Sequence, residues 1–275
     1  MKVSVIQFGF REIAREQEFY DHLDELFARC EGSDLIVLPE YCASELLGVV
    51  GDYTEETSAI ATTPYFDDYV AYLRDKSNAM NAVIVGGTAY RKTDDIVQNI
   101  CPVLVPGQEP LIRGKALLVP YEKDVQGISY LGFQHKPVID GVGVAVCYDA
   151  EFPALIRPLC EQGVVVLAAP SSTEDIHGFR RVRYSCLARA IENQIYVIHA
   201  AIVGSIGREP YLNNYGTSAI IAPSMREFPD GPILAESKLN VEDVISAELD
   251  LEKLELIREK GEVRNWHDRS EMWKG

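Results

Sequence analysis

The sequence predicts an α/β fold, and three observations carry that prediction. Short apolar runs recur at residues 35–38, 82–85, 142–146 and 164–169. None shows the polar–apolar alternation of a strand with one wet face, so each reads as a strand buried on both sides. Between them, apolar residues return at helical spacing, first at Ile13, Phe19, Leu23, Leu26 and Phe27, then at Phe66, Tyr69, Val70 and Leu73. Several strands also end abruptly on a charged or thiol side chain, which places reactive groups on a rigid edge.

Val3 to Phe8 reads as the first strand; Gln7, Arg11 and Glu12 interrupt its apolar run and no small-residue cleavage site follows, which argues against a secretion signal. The helix after it closes on Glu31-Gly32, and Asp34 to Leu38 forms a second strand ending at Pro39-Glu40-Tyr41-Cys42. Residues 48–64 lack a clear period and are expected to be a loop over one end of the sheet. The Phe66 stripe then packs a helix onto the core, and Ala82 to Thr88 is a further strand. From Val97 to Pro120 the pattern is that of a hairpin: Asn99 to Val105, a Pro106-Gly107 turn, then Leu111 to Pro120, with Lys115 inside its second arm. Gly141 to Val146 is a valine-rich strand that stops on Cys147, after which Pro153 opens a helix.

Gly163 to Pro170 delivers Ser171 and Ser172 to a loop. Phe179 to Asn193 reads as a helix whose arginines, 180, 181, 183 and 189, are expected on a solvated or salt-bridged face. Strands at 194–204 and 216–223 follow, with His199 inside the first as a satisfied core histidine. Val244 to Leu249 and a short helix at 250–260 complete the pattern. We expect residues 1–275 to form a single domain, with 262–275 a C-terminal tail packing at an oligomer interface.

The composition excludes several classes of function. Hydrophobic residues make up 47% and charged residues 25% of the 275, as in ordinary globular proteins. With 26 basic and 42 acidic residues the net charge of −16 disfavours nucleic acid and anionic membranes as partners. No apolar run is long enough for a bilayer. The six cysteines are scattered, with no Cys-x-x-Cys pair and no histidine at ligand spacing, so reduced thiols in a cytoplasmic protein are expected, without a zinc site or other metal.

Glu40, Lys115, Glu122 and Cys147 each lie at or near the end of a candidate strand. Taken singly, Glu40 reads as a loop charge, Lys115 as an edge-strand guard and Cys147 as a small core residue. Together they form a chemical set. A free thiol with a pKa of about 8.5 is mostly protonated at neutral pH and needs a base or a cation beside it to act as a nucleophile. A glutamate can accept its proton. A lysine and a backbone N–H can stabilise the negative charge that develops when the thiolate adds to a carbonyl or nitrile carbon.

Separate segments of the chain resemble the nitrilase, or carbon–nitrogen hydrolase, superfamily. Leu38-Pro39-Glu40 is similar to the family's general-base segment, Lys115 through Leu118-Val119-Pro120-Tyr121-Glu122 to its lysine segment, and Cys147-Tyr148-Asp149 with Phe152-Pro153 to its nucleophile segment. Ala188 to Gln194 and Gly216 to Pro223 resemble two later signatures, in the same order. The resemblance implies a four-layer α-β-β-α sandwich that assembles into homodimers or larger homo-oligomers. It implies that Cys147 attacks the substrate, that Glu40 is the general base, and that Lys115 with the Tyr148 backbone N–H holds the oxyanion. Glu122 would position substrate or tune Lys115. No cofactor is expected, Glu192 and Asn193 are expected to be structural, and Tyr121, Glu151 and Ser171 are candidate substrate contacts. Tyrosine and aspartate after the nucleophile resemble the amidase branches, so a small-molecule amide or carbamoyl substrate is favoured. Glu151 stands where the ω-amidase-like branch often carries arginine, which argues against dicarboxylate monoamides. The alternatives are an acyltransferase working through the same acyl-enzyme and a true nitrilase.

Overall fold

The computed structural model of the protein describes residues 1–132, 134, 136–139 and 141–271. The amino-terminal strand, β1 (Lys2–Phe10), is the spine of the sheet. It pairs in parallel with β2 (Leu35–Leu38), which pairs in parallel with β3 (Val83–Gly86). β4 (Ala89–Thr93), β5 (Ile96–Leu104) and β6 (Leu111–Gly114) extend this half antiparallel through β5. The other half joins β7 (Val142–Val144), β8 (Val166–Ser171) and β9 (Tyr196–Gly204) in parallel, then β10 (Ala219–Ile221) and β11 (Ile233–Glu236) antiparallel. β9 crosses between halves: Tyr196–Ala201 pair with β8, and Ile202–Gly204 pair with Phe8–Phe10 of β1. β12 (Asp243–Glu248) lies antiparallel on β1.

Alternation along the buried strands assigns the layers. Val3, Val5, Leu35, Val37 and Val85 face the second half and share a core with Val166, Leu167 and Ile198. Ile6, Phe8, Ile36, Leu38 and Ile84 face the opposite way. There they meet Phe19, Leu23 and Phe27 of α1 (Glu16–Ala28) and Tyr69 and Leu73 of α3 (Phe66–Met80). The second half is covered by α4 (Pro153–Glu161) and α5 (Ile176–Asn193) through Ile156, Leu159, Val182 and Cys186. The result is the α-β-β-α order, with strand carboxyl ends converging at one edge.

Three expectations are corrected, and two strands are added. Residues 48–64 contain a helix, α2 (Glu55–Thr62), started by a capping box in which the Thr54 N–H donates to Thr57 Oγ1 at 2.8 Å. Its few buried side chains, Ser58, Ala59 and Thr62, are small or polar and give no hydrophobic period. The second hairpin arm ends at Gly114 rather than Pro120, because the next amides turn toward a carboxylate described below. Arg183 and Arg189 are salt-bridged, as one of the two expectations has it, but buried and not solvated: Arg183 donates to His199 Nδ1 (3.1 Å), Thr217 and Glu236, while Arg189 pairs with Glu192 at 2.7 Å and donates to the Ala150 and Glu151 carbonyls. β4 and β11, short and only partly buried, carry no apolar run that marks them.

The chain ends in α6 (Leu251–Lys260) and a single turn, α7 (Asn265–Asp268). Trp266 stacks against Arg258 and Arg269 of its own chain, and its backbone N–H donates to Gln194 Oε1 at 2.9 Å. The start of the tail is therefore docked on the end of α5, and residues 272–275 lie outside the described residues.

The end of β2 is set by one glycine. Gly87 has a φ of +59°, and a Cβ there would lie 2.0 Å from the Pro39 carbonyl oxygen. Thr88 secures the same turn: its N–H donates to the Pro39 carbonyl at 3.3 Å and its Oγ1 accepts the Tyr41 N–H at 2.8 Å. Gly87→Ala should lower the stability measured by urea unfolding by at least about 2 kcal/mol, from left-handed backbone strain plus the clash.

Candidate active site

Glu40, Lys115, Glu122 and Cys147 come from four separate parts of the sheet and meet at its edge. Glu40 lies two residues after β2, one residue beyond Pro39, whose carbonyl meets Gly87. Lys115 follows β6, and its backbone N–H donates to the Asn99 carbonyl at 3.0 Å, one last rung of the β5–β6 ladder. Glu122 lies in a π-helical turn spanning Tyr121–Val125. Cys147 begins the turn between β7 and α4 with a φ of 47°, a left-handed conformation uncommon for a residue with a side chain. Such strain persists where the surrounding structure over-determines it.

One carboxylate supplies that determination. Asp149 accepts the N–H groups of Ala116 (3.1 Å), Leu117 (2.8 Å) and Val146 (3.3 Å), and so ties the segment after Lys115 to the turn carrying Cys147. These bonds replace the strand ladder expected up to Pro120. Burial outweighs the three amides and pushes the Asp149 carboxyl up to about 6.

All four of the converging groups are buried, with Glu40 1%, Lys115 2%, Glu122 1% and Cys147 7% exposed. The Lys115 ammonium lies 2.8 Å from Glu40 Oε1 and 2.7 Å from Glu122 Oε2. Burial by itself would lower its pKa, but the two carboxylates outweigh burial and hold it well above the usual lysine value, so it stays charged.

The two carboxylates are not equivalent. Glu122 accepts from Tyr41 OH (2.5 Å) and Asn99 Nδ2 (3.0 Å) on Oε1, and from Lys115 Nζ and the Val119 N–H (3.0 Å) on Oε2. That fills the four or so acceptor positions of a carboxylate. Its pKa is lowered despite burial, chiefly by Lys115. Glu40 has fewer donors: Lys115 Nζ and Asn99 Nδ2 (3.0 Å) on Oε1, and the Ser172 N–H (3.2 Å) on Oε2. Burial, with the charge of Glu122, pushes it up to about 7 in spite of Lys115. Burial and the Glu40 charge likewise hold the Cys147 thiol well above its ordinary value. The thiol donates to the Ser172 carbonyl at 3.5 Å. The site therefore holds a neutral thiol beside a carboxyl poised near neutrality and a permanent cation.

These groups line a cavity of about 610 Å³ that also includes Tyr121, Tyr148, Glu151, Ser172 and Tyr211. Tyr121 donates its hydroxyl to Glu55 Oε2 at 3.0 Å, and Glu151 lies 3.6 Å from Arg181. Ser171, a candidate substrate contact, is not among the residues lining this cavity. As the last residue of β8 it points inward, 1% exposed, and donates its Oγ to the Ala169 carbonyl at 3.0 Å. The next residue reaches the site instead, through the backbone N–H and carbonyl of Ser172. Sequence reasoning also passed over Asn99, which sits between two carboxylates inside what reads as an apolar strand.

The profile of the carbon–nitrogen hydrolase family matches residues 2–259. The chain belongs to the carbon–nitrogen hydrolase family. The chain is 32% identical over 279 residues to the probable hydrolase YhcX of Bacillus subtilis, a match covering 98% of this chain and 53% of that protein. It is 32% identical over 146 residues to human deaminated glutathione amidase, covering 53% of this chain and 39% of that one. The chain thus spans about half the length of the first relative, and the human match covers less of its protein. An amidase from Nesterenkonia sp. has the same fold, with a TM-score of 0.72 at 20% identity, covering 99% of this chain and 94% of that one. In a variant of that amidase the acetamide moiety of fluoroacetamide is covalently attached to the active-site cysteine.

Asp149→Ala would leave three backbone N–H groups at the centre of the site without an acceptor. At about 1–3 kcal/mol for each buried unsatisfied group, the loss in urea unfolding should be about 3 kcal/mol or more.

Proposed function

We propose that this carbon–nitrogen hydrolase cleaves a non-peptide amide or N-carbamoyl bond of a small molecule through a thioester on Cys147. The observation that carries the reading is the buried Lys115 ammonium, bonded to Glu40 and Glu122 beside a thiol on the cavity wall. An ammonium has three N–H donors. Two are engaged by the carboxylates, which leaves one for an oxygen that becomes negative.

The Cys147 thiol is neutral at rest, so attack on the substrate carbon requires its proton to leave. Glu40, with a carboxyl near neutrality, accepts it. The carbonyl oxygen takes up the electron pair and is stabilised by Lys115 and the Tyr148 N–H. Collapse of the tetrahedral species breaks the carbon–nitrogen bond, and Glu40 returns the proton to the leaving nitrogen. Ammonia or an amine departs and a thioester remains. Water then attacks the thioester as Glu40 takes its proton, and the same proton restores the thiol when the acid leaves. Glu122, with its acceptor positions filled, keeps Lys115 charged and in place. The cysteine adduct of the Nesterenkonia amidase supports this use of the thiol.

Ammonia release across aliphatic amides, N-carbamoyl amines and nitriles tests the reading. Cys147→Ala should abolish turnover with an unchanged fold by circular dichroism, and retention of wild-type turnover would sink the assignment. Lys115→Ala should lower kcat by about 10²–10³, the effect of losing one oxyanion donor.

The raised Glu40 pKa also has a kinetic signature. The base works ionised, so kcat/KM should fall as pH drops through about 7, whereas an ordinary glutamate would place that limb at about 4.3. A pH–rate profile of the free enzyme reads this directly.

A further inference from the structure

Asn99 is placed to do more than fill β5. Its side chain is buried, with the residue 2% exposed, and its Nδ2 lies 3.0 Å from Glu40 Oε1 and 3.0 Å from Glu122 Oε1. Carboxylate oxygens only accept, so the amide must present its NH₂ edge to both, one hydrogen to each. The orientation has a cost: Asn99 Oδ1 is buried without a hydrogen-bond partner. The Asn99 backbone carbonyl accepts the Lys115 N–H at 3.0 Å. One residue therefore grips all three charged members of the site.

Counting acceptor positions shows what this grip does. Glu40 Oε1 accepts from Lys115 Nζ and from Asn99, which uses both of its lone-pair positions. Glu40 Oε2 accepts the Ser172 N–H among the described residues, and Ser172 is also the residue whose carbonyl accepts the Cys147 thiol, which itself interacts with Glu40. The one open lone pair of Glu40 is therefore on the oxygen directed toward the thiol side. We propose that Asn99 is a positioning residue that blocks Oε1 of Glu40, leaves Oε2 as the proton-accepting oxygen, and sets the spacing of Glu40 and Glu122 around the Lys115 ammonium. The proposal rests on Glu40 being the base in the reading above.

The ionisable groups facing Glu40 are Lys115 from the segment after β6, Glu122 from the π-helical turn, Cys147 from the turn after β7, Cys101 from β5, and the Tyr41 and Tyr211 hydroxyl groups. None of these replaces the Asn99 donor. Removing it withdraws a hydrogen bond from each ionised carboxylate, so Glu40 should hold its proton to higher pH.

The test compares wild type with Asn99→Ala and Asn99→Ser in two assays. In the first, the acid limb of kcat/KM should move to higher pH by about half a unit or more in Asn99→Ala. In that variant kcat should drop at least tenfold while KM changes less than about threefold. Asn99→Ser keeps one hydroxyl donor and should fall between the two. The second assay needs no turnover: the rate of Cys147 alkylation by iodoacetamide, followed by intact mass against pH, should show the same displacement. A shift in alkylation without any hydrolytic activity on the panel would support the positioning role and count against the hydrolytic reading alone. Unmoved pH profiles in both variants, accompanied only by a lower unfolding midpoint, would overturn the proposal. Should Asn99→Ala not fold, an unmoved profile in Asn99→Ser overturns it equally.

Discussion

The structure depends on a buried ammonium held between two buried carboxylates. Removing charges from water costs several kcal/mol per ion even after relaxation, and attraction offsets that only where geometry and additional hydrogen bonds are good. Lys115, Glu40 and Glu122 satisfy that condition with help from Asn99, Tyr41, Val119 and Ser172. The arrangement is asymmetric in a useful way. The carboxylate with its acceptor positions filled stays ionised and holds the cation, while the less fully bonded one is left near its titration point. Burial and the charge of Glu122, offset by fewer donors, raise the Glu40 carboxyl, while Lys115, Tyr41 and Asn99 outweigh burial at Glu122.

The fold serves this cluster by bringing four chain segments to one edge. β2 ends against Gly87, β6 ends by turning its next amides onto Asp149, and β7 ends in the left-handed Cys147 turn that Asp149 also anchors. β2 is buried along its whole length between the two cores, whereas β6 is only half-buried and its end is held by the Lys115 N–H on the Asn99 carbonyl and the next two amides on Asp149. The distant network of Arg183, His199, Thr217 and Glu236 shows the same economy of buried polar groups: burial and the neighbouring guanidinium keep His199 neutral, able to accept the Arg183 N–H.

Much of this was legible in the sequence because it is local. Buried strands announce themselves as unbroken apolar runs, and a charge or thiol that terminates one is conspicuous; that is how Glu40, Lys115 and Cys147 stand out. The parts that were not legible depend on contacts between distant segments. Asn99 reads as one polar residue in a hairpin arm, and only the meeting of β2, β5 and the Glu122 turn reveals what its amide does. Ser171 and Ser172 are neighbours of the same type, and a one-residue step along β8 decides which one faces the cavity. Arg183 and Arg189 look like surface charges until the carbonyls and acceptors supplied by other elements are seen around them. α2 was hidden because its start is defined by a threonine cap and not by an apolar stripe.

The most direct test of the central claim is the mass of the intact protein after acid quench during turnover of an accepted amide or N-carbamoyl substrate. The account predicts a population heavier by the substrate's acyl group, mapped to Cys147 and absent from Cys147→Ala. Steady turnover with no adduct on Cys147 at any quench time, or an adduct on another residue, would contradict it.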